Sequence, residues 1–367
     1  MTQSADVHFI GFVAAQHGSE IHPSAGPVID RDYVRAVAQA HEYGGFDRVL
    51  VAFHSTAPDS FALAQYAASV TERINLMIAH RPGFQAPTVA ARQLATLDHL
   101  TGGRAGVYII TGGNDAELAQ DGDFLTKDER YARTSEYLDV VKSAWTSAEP
   151  FDYEGRYYRA ARAFSAVKPV QQPHLPVYFG GSSEAAIAVA GRHADTYALW
   201  GETHAQVRDT IARVRAAAAR HGREDRVGFS LSFRPILAET EEAAWARAES
   251  ILARTKALRA ARGLGPAATP PNEGSRRLLA AAAQGSRLDK RLYTAIAAET
   301  GAQGNSTALV GTPDQVAEAL LDYHALGVTT FLIRGFDPLE DAVQYGRALI
   351  PAFRRLSGAA SRARAAA

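Results

Sequence analysis

The chain contains no cysteine. Disulfides, thiolate nucleophiles and cysteine-ligated metals are therefore excluded, and a reducing, cytoplasmic setting is expected. It also lacks an excess of charge, with 39 basic residues against 39 acidic ones. No basic field points to nucleic acid or to an anionic membrane. No apolar run approaches the roughly 18 residues of a membrane span, and no signal-peptide h-region is expected at the N-terminus. No Gly-x-Gly-x-x-Gly follows the first strand-like run, so no Rossmann site for a nicotinamide is expected. His17, His54, His80 and His324 lack metal-ligand spacing and nearby carboxylates, so no metal site is expected.

What the chain does have is apolar material: 47% of 367 residues, enough for one large barrel or two ordinary domains. Short β-like runs alternate with amphipathic stretches. The strand candidates are Val7–Val13, Arg48–Ala52, Ile74–Ala79, Ala105–Thr111, Val177–Phe179, Thr196–Trp200, Val227–Leu237 and Thr329–Ile333. Helical periodicity falls between them, as in Asp32–Tyr43, Ala90–Leu100, Glu129–Trp145, Glu184–His193, His204–His221 and Asp314–Leu326. This alternation predicts parallel strands with crossover helices. Eight such units predict an α/β fold, a (β/α)8 TIM barrel, over an open doubly wound sheet. Chemistry is then expected at the carboxyl ends of the strands.

A single domain over residues 1–356 is expected. Three segments depart from the plain pattern. Residues 114–128 and 151–176 are long connections, the second holding a hairpin-like Asp-Tyr-Glu-Gly-Arg-Tyr-Tyr stretch. Residues 255–306, between strands seven and eight, form a long insertion that reads as a lid or as a solvated excursion. The Ala/Arg-rich stretch 357–367 reads as a flexible, frayed end.

Several strand ends carry suggestive residues. Phe179-Gly-Gly-Ser-Ser183 follows a strand and opens a helix. Two glycines with hydroxyls at a helix N-terminus suit a phosphate, and equally suit an ordinary cap with Ser183 as N-cap. Thr111-Gly-Gly-Asn114 ends the fourth strand with little bulk, and Asp128-Glu-Arg-Tyr131 opens a helix. His54 and His80 lie just past strands two and three, where each reads as a proton carrier or a positioning residue.

The stretch from Arg81-Pro-Gly-Phe-Gln-Ala-Pro-Thr-Val-Ala-Ala-Arg to Thr101-Gly-Gly-Arg104 resembles the passage between strands three and four of luciferase-like, reduced-flavin monooxygenases, in particular their alkanesulfonate monooxygenase branch. The resemblance implies FMN bound as FMNH2, with O2 as co-substrate and reduced flavin delivered by a separate NAD(P)H:flavin reductase. It implies a homodimer or homotetramer. It places the FMN phosphate at Gly181, Ser182 and Ser183 with Tyr131 nearby. Thr111 and Gly112 would line the flavin ring, Asp59 would lie near its pyrimidine edge, and Ala79 would end a strand where relatives carry a cis peptide. Arg81 would steady the reduced flavin or form a loop ion pair. His80, His54 and Arg81 are the catalytic candidates.

The chain departs from the sulfonate-cleaving relatives. Their Arg-x-His on strand seven is here Ser232-Phe233-Arg234, and the Arg preceding their Thr-Ala-Leu-Val-Gly run falls near Ala302. Their Gly-Tyr-Pro-His is Gly335-Phe-Asp-Pro338, and a cysteine position is Ala57. His17-Gly, Arg81-Pro and Trp200-Gly-Glu remain. A sulfonate needs charge-assisted donors. Their loss, with Trp200, Phe233 and Phe336, predicts a bulkier aromatic substrate, with His17 and Arg234 also in contact. Phe233 and Phe336 read alternatively as barrel core. Arg234, or Arg276, Arg277, Arg287 and Arg291 of the insertion, would compensate for the lost anion donors.

Oxidative C–N cleavage of riboflavin to lumichrome, as in a riboflavin lyase, suits a large aromatic pocket. Release of sulfite and aldehyde from an alkanesulfonate is the alternative. Two rival classes are an F420-dependent dehydrogenase and a non-catalytic flavin-binding protein.

Overall fold

The computed structural model describes residues 7–264, 270 and 272–366. Eight parallel strands close into a barrel. They are β1 (His8–Val13), β2 (Arg48–Val51), β3 (Asn75–His80), β4 (Ala105–Ile110), β5 (Val177–Gly180), β6 (Thr196–Trp200), β7 (Gly228–Phe233) and β8 (Thr330–Ile333). Each pairs with the next in this numbering, and β8 returns to β1 with His8 opposite Thr330. All eight coincide with the expected runs to within a few residues. The one long expected strand, Val227–Leu237, is broken. Pro235 has no N–H to give a ladder, and Ile236–Leu237 pairs elsewhere, with Ala308–Gly311.

The chain divides into two compact units. In the unit drawn from residues 1–49, 199–212 and 228–367, Phe9 of β1 packs against Phe331 of β8 and edge-on against Phe353, with ring centroids 6.1 and 5.4 Å apart. The helix Arg31–Tyr43 starts where the Asp30 carboxylate accepts from the N–H groups of Asp32 and Tyr33. Its His41 is buried beneath β1. The His41 ring donates from Nδ1 to the Val37 carbonyl (2.6 Å) and accepts at Nε2 from the Phe12 N–H (3.4 Å). A Cβ at Gly11 would overlap that ring, so only glycine fits there.

Residues 255–306, where the insertion is expected, fall in the same unit, and among the described ones are the helices Glu273–Ala282 and Ala295–Thr300 and the short strands Arg287–Leu288 and Leu292–Tyr293. Ile236–Leu237, Ala308–Gly311, Leu292–Tyr293 and Arg287–Leu288 form a four-stranded sheet. The helix Glu241–Ala261 covers it with Ala244, Ala248 and Ile251, in a core shared with Ile236, Tyr293, Ile296 and Val310. That helix has a helical spacing of buried residues, but alanine gives it little contrast in hydropathy. This is why periodicity alone passes over it. Part of the expected lid, residues 265–269 and 271, lies outside the described residues. The stretch expected to fray belongs to a helix, Ile350–Ala366.

In the unit drawn from residues 50–198 and 213–227, the helix Lys127–Thr146 begins with a reciprocal cap between Thr126 and Glu129. The buried Asp98 carboxylate accepts from the N–H groups of Ala105 and Gln171 and from the Gln171 amide. Asp98 is thus structural, as its place late in a helix suggests. Phe151–Glu154 and Arg159–Ala163 form the expected hairpin.

Burial lowers the His41 pKa to about 4 from the ordinary 6.5, against the pull of its bond to Val37. A second proton on the ring would also remove the acceptor that Phe12 N–H uses. The unfolded chain takes up this proton near pH 6.5 and the folded chain does not. Stability is therefore held above pH 6.5 and lost as pH falls toward 4, by on the order of 3 kcal/mol for this group. We expect the melting temperature to fall steeply between pH 6.5 and 4; a melt unchanged from pH 7 to 4.5 excludes a neutral buried His41.

Candidate active site

Four strand ends, β2 to β5, carry the expected cofactor residues, all within the unit of residues 50–198 and 213–227. At the end of β3, Ala79 is buried and its carbonyl accepts from the Ser60 hydroxyl at 2.8 Å. The cis bond expected by resemblance at Ala79–His80 is absent; among the described residues the cis peptide is Gln172–Pro173. His80 Nε2 lies 2.6 Å from the Tyr137 hydroxyl. Burial lowers the His80 pKa to about 4, with Asp59 pulling the other way. Burial, then Tyr158, raises Tyr137 well above 10. At neutral pH the pair is a neutral imidazole and a neutral phenol. It can pass a proton along but holds no spare one. Asp59 caps the helix Ser60–Ser69, accepting from the Ala62 N–H at 2.7 Å.

Arg81 is buried in a loop ion pair. Its guanidinium donates to Glu117 (2.7 Å) and to the Ser55 hydroxyl (3.1 Å), and lies 4.9 Å from the Phe53 ring centre. Of its two expected roles, the structure displays the loop pair. His54 is largely exposed, its Nδ1 3.5 Å from the same Glu117 carboxylate. A cavity of about 690 Å³ brings His54, Asp59, His80 and Arg81 together with Phe53 and Phe84. Its size is that of a cofactor or drug-sized pocket.

The β4 and β5 ends form a tighter cluster. Gly181 has φ +144°, and a Cβ there would meet the Tyr131 hydroxyl at 2.7 Å and Ala186 at 2.8 Å. A Cβ at Gly180 would collide with the Tyr108 hydroxyl, and Gly112, at φ +88°, lies against Leu118. Tyr197 donates to the Gly181 carbonyl. Ser183 caps the helix Glu184–His193, accepting from the Ala186 N–H at 3.3 Å. Burial raises the Tyr131 pKa, while the neighbouring Ser183, Arg130 and Thr111 hold it down. The Thr111 hydroxyl is buried without a hydrogen-bond partner. A glycine turn that a Cβ would fill, beside hydroxyls and a helix N-terminus, suits a phosphate. The residues present fit FMN.

The expected substrate residues belong to the other unit. His17 sits 5.0 Å from His22 and 5.7 Å from Tyr33, ring to ring. Trp200 is half-buried against Gly274 and a small cluster of Leu278, Ala297 and Ala302. Phe233 and Phe336 are fully buried. Phe233 packs on Tyr323 at 5.0 Å, and Phe336 joins the apolar core of the insertion. The core reading therefore replaces the aromatic wall: successive strand residues alternate in direction, and position 233 is the one that faces the helix. Arg234 is buried over Phe336, 3.7 Å from its ring centre. The insertion arginines are held by acids: Arg277 by Glu202, Arg291 by Glu241, Arg276 by Glu273 and Arg287 by Glu249. Periodicity and motif singled out none of Tyr137, Glu117, Glu20 or Arg334. Arg334 sits one step past a strand, Glu20 in a loop, and Tyr137 and Glu117 on helices, and no motif marks any of the four.

Among the described residues no group of histidines and acids is spaced to hold a metal, and no helix is long and apolar enough to cross a membrane. A parallel barrel with a flavin-sized cavity and a phosphate-suited turn defines the class as a cofactor-binding TIM-barrel enzyme. The sequence profile of luciferase-like monooxygenases matches residues 7–330, and the chain belongs to that family. Its class is flavin-dependent monooxygenase. Three solved structures are similar in fold. A riboflavin lyase with modified FMN and riboflavin has 20% identity and a TM-score of 0.79, with 95% of this chain and 92% of that one covered. The EDTA monooxygenase of Chelativorans sp. BNC1 has 20% identity, 95% and 94% coverage, and a TM-score of 0.74. An F420-dependent secondary alcohol dehydrogenase has 17% identity, 95% and 99% coverage, and a TM-score of 0.67.

Arg277 and Glu202 are both largely buried and joined by two hydrogen bonds of 2.7 and 2.6 Å. Arg277→Ala leaves a buried carboxylate without its cation, and should cost about 3–5 kcal/mol. A urea midpoint unchanged by the substitution would show that the pair does not hold the insertion.

Proposed function

We propose that the protein is a two-component monooxygenase that uses FMNH2 and O2 to cleave a carbon–heteroatom bond oxidatively. The observation that carries this reading is the cluster of Thr111, Tyr131, Gly181 and Ser183, with an orphaned hydroxyl and a turn closed to any Cβ. Bound reduced FMN supplies the two electrons that activate O2. Ser182, Ser183 and Tyr131 hold its phosphate, and Thr111, Gly112 and Ala79 leave room for the ring. His80 and Tyr137 relay a proton at Nε2 and the phenol. Apolar surroundings keep His80 neutral, so the proton it passes on comes from solvent or substrate. A separate reductase supplies FMNH2, and the enzyme works in the cytoplasm as a homodimer or homotetramer.

For the substrate we keep the bulky aromatic reading, riboflavin cleaved at C–N to lumichrome, now resting on Trp200 and on the missing sulfonate donors. Sulfite release is the second reading, favoured by the buried guanidinium of Arg234. Protein with anaerobically reduced FMN is mixed with oxygenated buffer holding riboflavin or octanesulfonate. We expect lumichrome. Sulfite instead would replace the first reading by the second, and hydride transfer to F420 without oxygen uptake would overturn both. Ser182→Ala with Ser183→Ala should weaken FMN binding at least tenfold, since two phosphate donors each worth about 1.5–3 kcal/mol are lost. Unchanged affinity by fluorescence quenching would remove the phosphate from this turn.

A further inference from the structure

In the unit of residues 50–198 and 213–227, the cavity of about 690 Å³ and the phosphate-suited turn are separate features. Thr111, Tyr131, Gly181 and Ser183 are not among the walls of the cavity. It opens on the helix side of β3. Ile78 and His80 line it, and Ala79 between them points the other way. His80 accordingly meets Tyr137, a helix residue, at 2.6 Å. Ser60 and Phe61 of the helix Ser60–Ser69 form one side, and Ala90 and Leu94 of the helix Pro87–Leu100 the other. The end of β3 is the wall that the cavity shares with the barrel mouth.

The apolar lining is largely aromatic. Phe53, Phe61 and Phe84 are each half-buried, and all three line the cavity. One half-wet ring is ordinary, but three around one hollow form a patch of the kind that marks a binding site. Phe53 and Phe84 lie parallel, with 7° between their planes and 6.2 Å between centroids. The Arg81 guanidinium braces Phe53 at 4.9 Å and is itself pinned by Glu117 and the Ser55 hydroxyl. The ring pair is thus oriented before any ligand arrives, and flat rings favour offset stacks. Ile78, Ala90 and Leu94, all nearly fully buried, make an apolar floor.

Charge narrows the choice of ligand. Arg81 is in the wall, but its charge is already matched by Glu117 at 2.7 Å. Asp59 and Asp121 also line the cavity. A phosphate or sulfonate would face these two carboxylates and be repelled. Gln85 and Gln93, joined by a 2.6 Å hydrogen bond, bring amide groups to the same rim. Amides donate to ring carbonyls and accept from ring N–H groups. The volume suits a molecule of a few fused rings.

We propose that this cavity is a second ligand site, for an uncharged, planar fused-ring molecule with N–H and carbonyl groups at its edge, stacked on the Phe53–Phe84 pair. The site lies outside the monooxygenase reading and stands without it, since the phosphate turn takes no part.

The probe is lumichrome, a neutral tricycle with such an edge. Equilibrium dialysis follows its binding to the full chain saturated with FMN. Saturation at one lumichrome per chain is expected, and further FMN should not displace it. Phe84→Leu keeps the apolar bulk and loses the flat ring, so affinity should fall roughly three- to tenfold. Phe84→Tyr keeps the ring and should keep the affinity. Phe124→Ala removes an exposed ring outside the cavity and should change nothing. Absent or non-saturable binding, displacement by FMN, or a Phe84→Leu chain that binds like the parent overturns the site. So does a Phe84→Leu chain whose mass in solution differs from the parent's, because a second copy would then be what covers the cavity. If FMN does not bind, the flavin reading fails by itself, and dialysis of the FMN-free chain with the same three variants still decides the second site.

Discussion

Closure of the parallel barrel is the constraint on which the other features depend. A closed sheet has no free edge, so each strand residue is committed by parity to one face or the other. Phe9, Phe331 and Phe233 fall on the face that packs against helices, and their rings meet Phe353 or Tyr323 there. The candidate site residues stand at or just past the strand ends, where parity no longer binds the side chain to the core. His80, Thr111, Gly181, Arg234 and Arg334 all stand at such positions.

Those strand ends divide by character. The β3, β4 and β5 ends carry small residues, hydroxyls and a neutral histidine, and suit a planar cofactor with a phosphate. The β7 and β8 ends carry Arg234 and Arg334, held between aromatic faces and the shared Glu20 carboxylate. Glycine does distinct work in the two places. Gly181 is forced by the Tyr131 hydroxyl and by its own φ, whereas Gly335 is forced by the Asp341 side chain against which a Cβ would press.

Much of the fold was legible. Short β-branched and aromatic runs at regular spacing located all eight barrel strands, and Ser183 announced its helix. The Phe179-Gly-Gly-Ser-Ser183 turn was legible as a motif between strand and helix, one that suits a phosphate and equally the helix cap that Ser183 makes. Three things were not. The helix Glu241–Ala261 buries alanines, which scarcely register as apolar. Phe233 and Phe336 looked like pocket walls because a sequence records that a ring is present, not which way it faces. The Arg234–Arg334–Glu20 cluster joins residues far apart in the chain, and only strand register sets them side by side.

The fit of Gly11 against His41 has a consequence for how this sequence can vary. The glycine leaves the exact space that the imidazole occupies, and the imidazole in turn satisfies the Phe12 N–H and the Val37 carbonyl. Neither position is free to drift alone. A larger residue at 11 evicts the ring, and a smaller residue at 41 strands two backbone groups. The two sites behave as a single hereditary unit, so that homologues should carry both residues or neither.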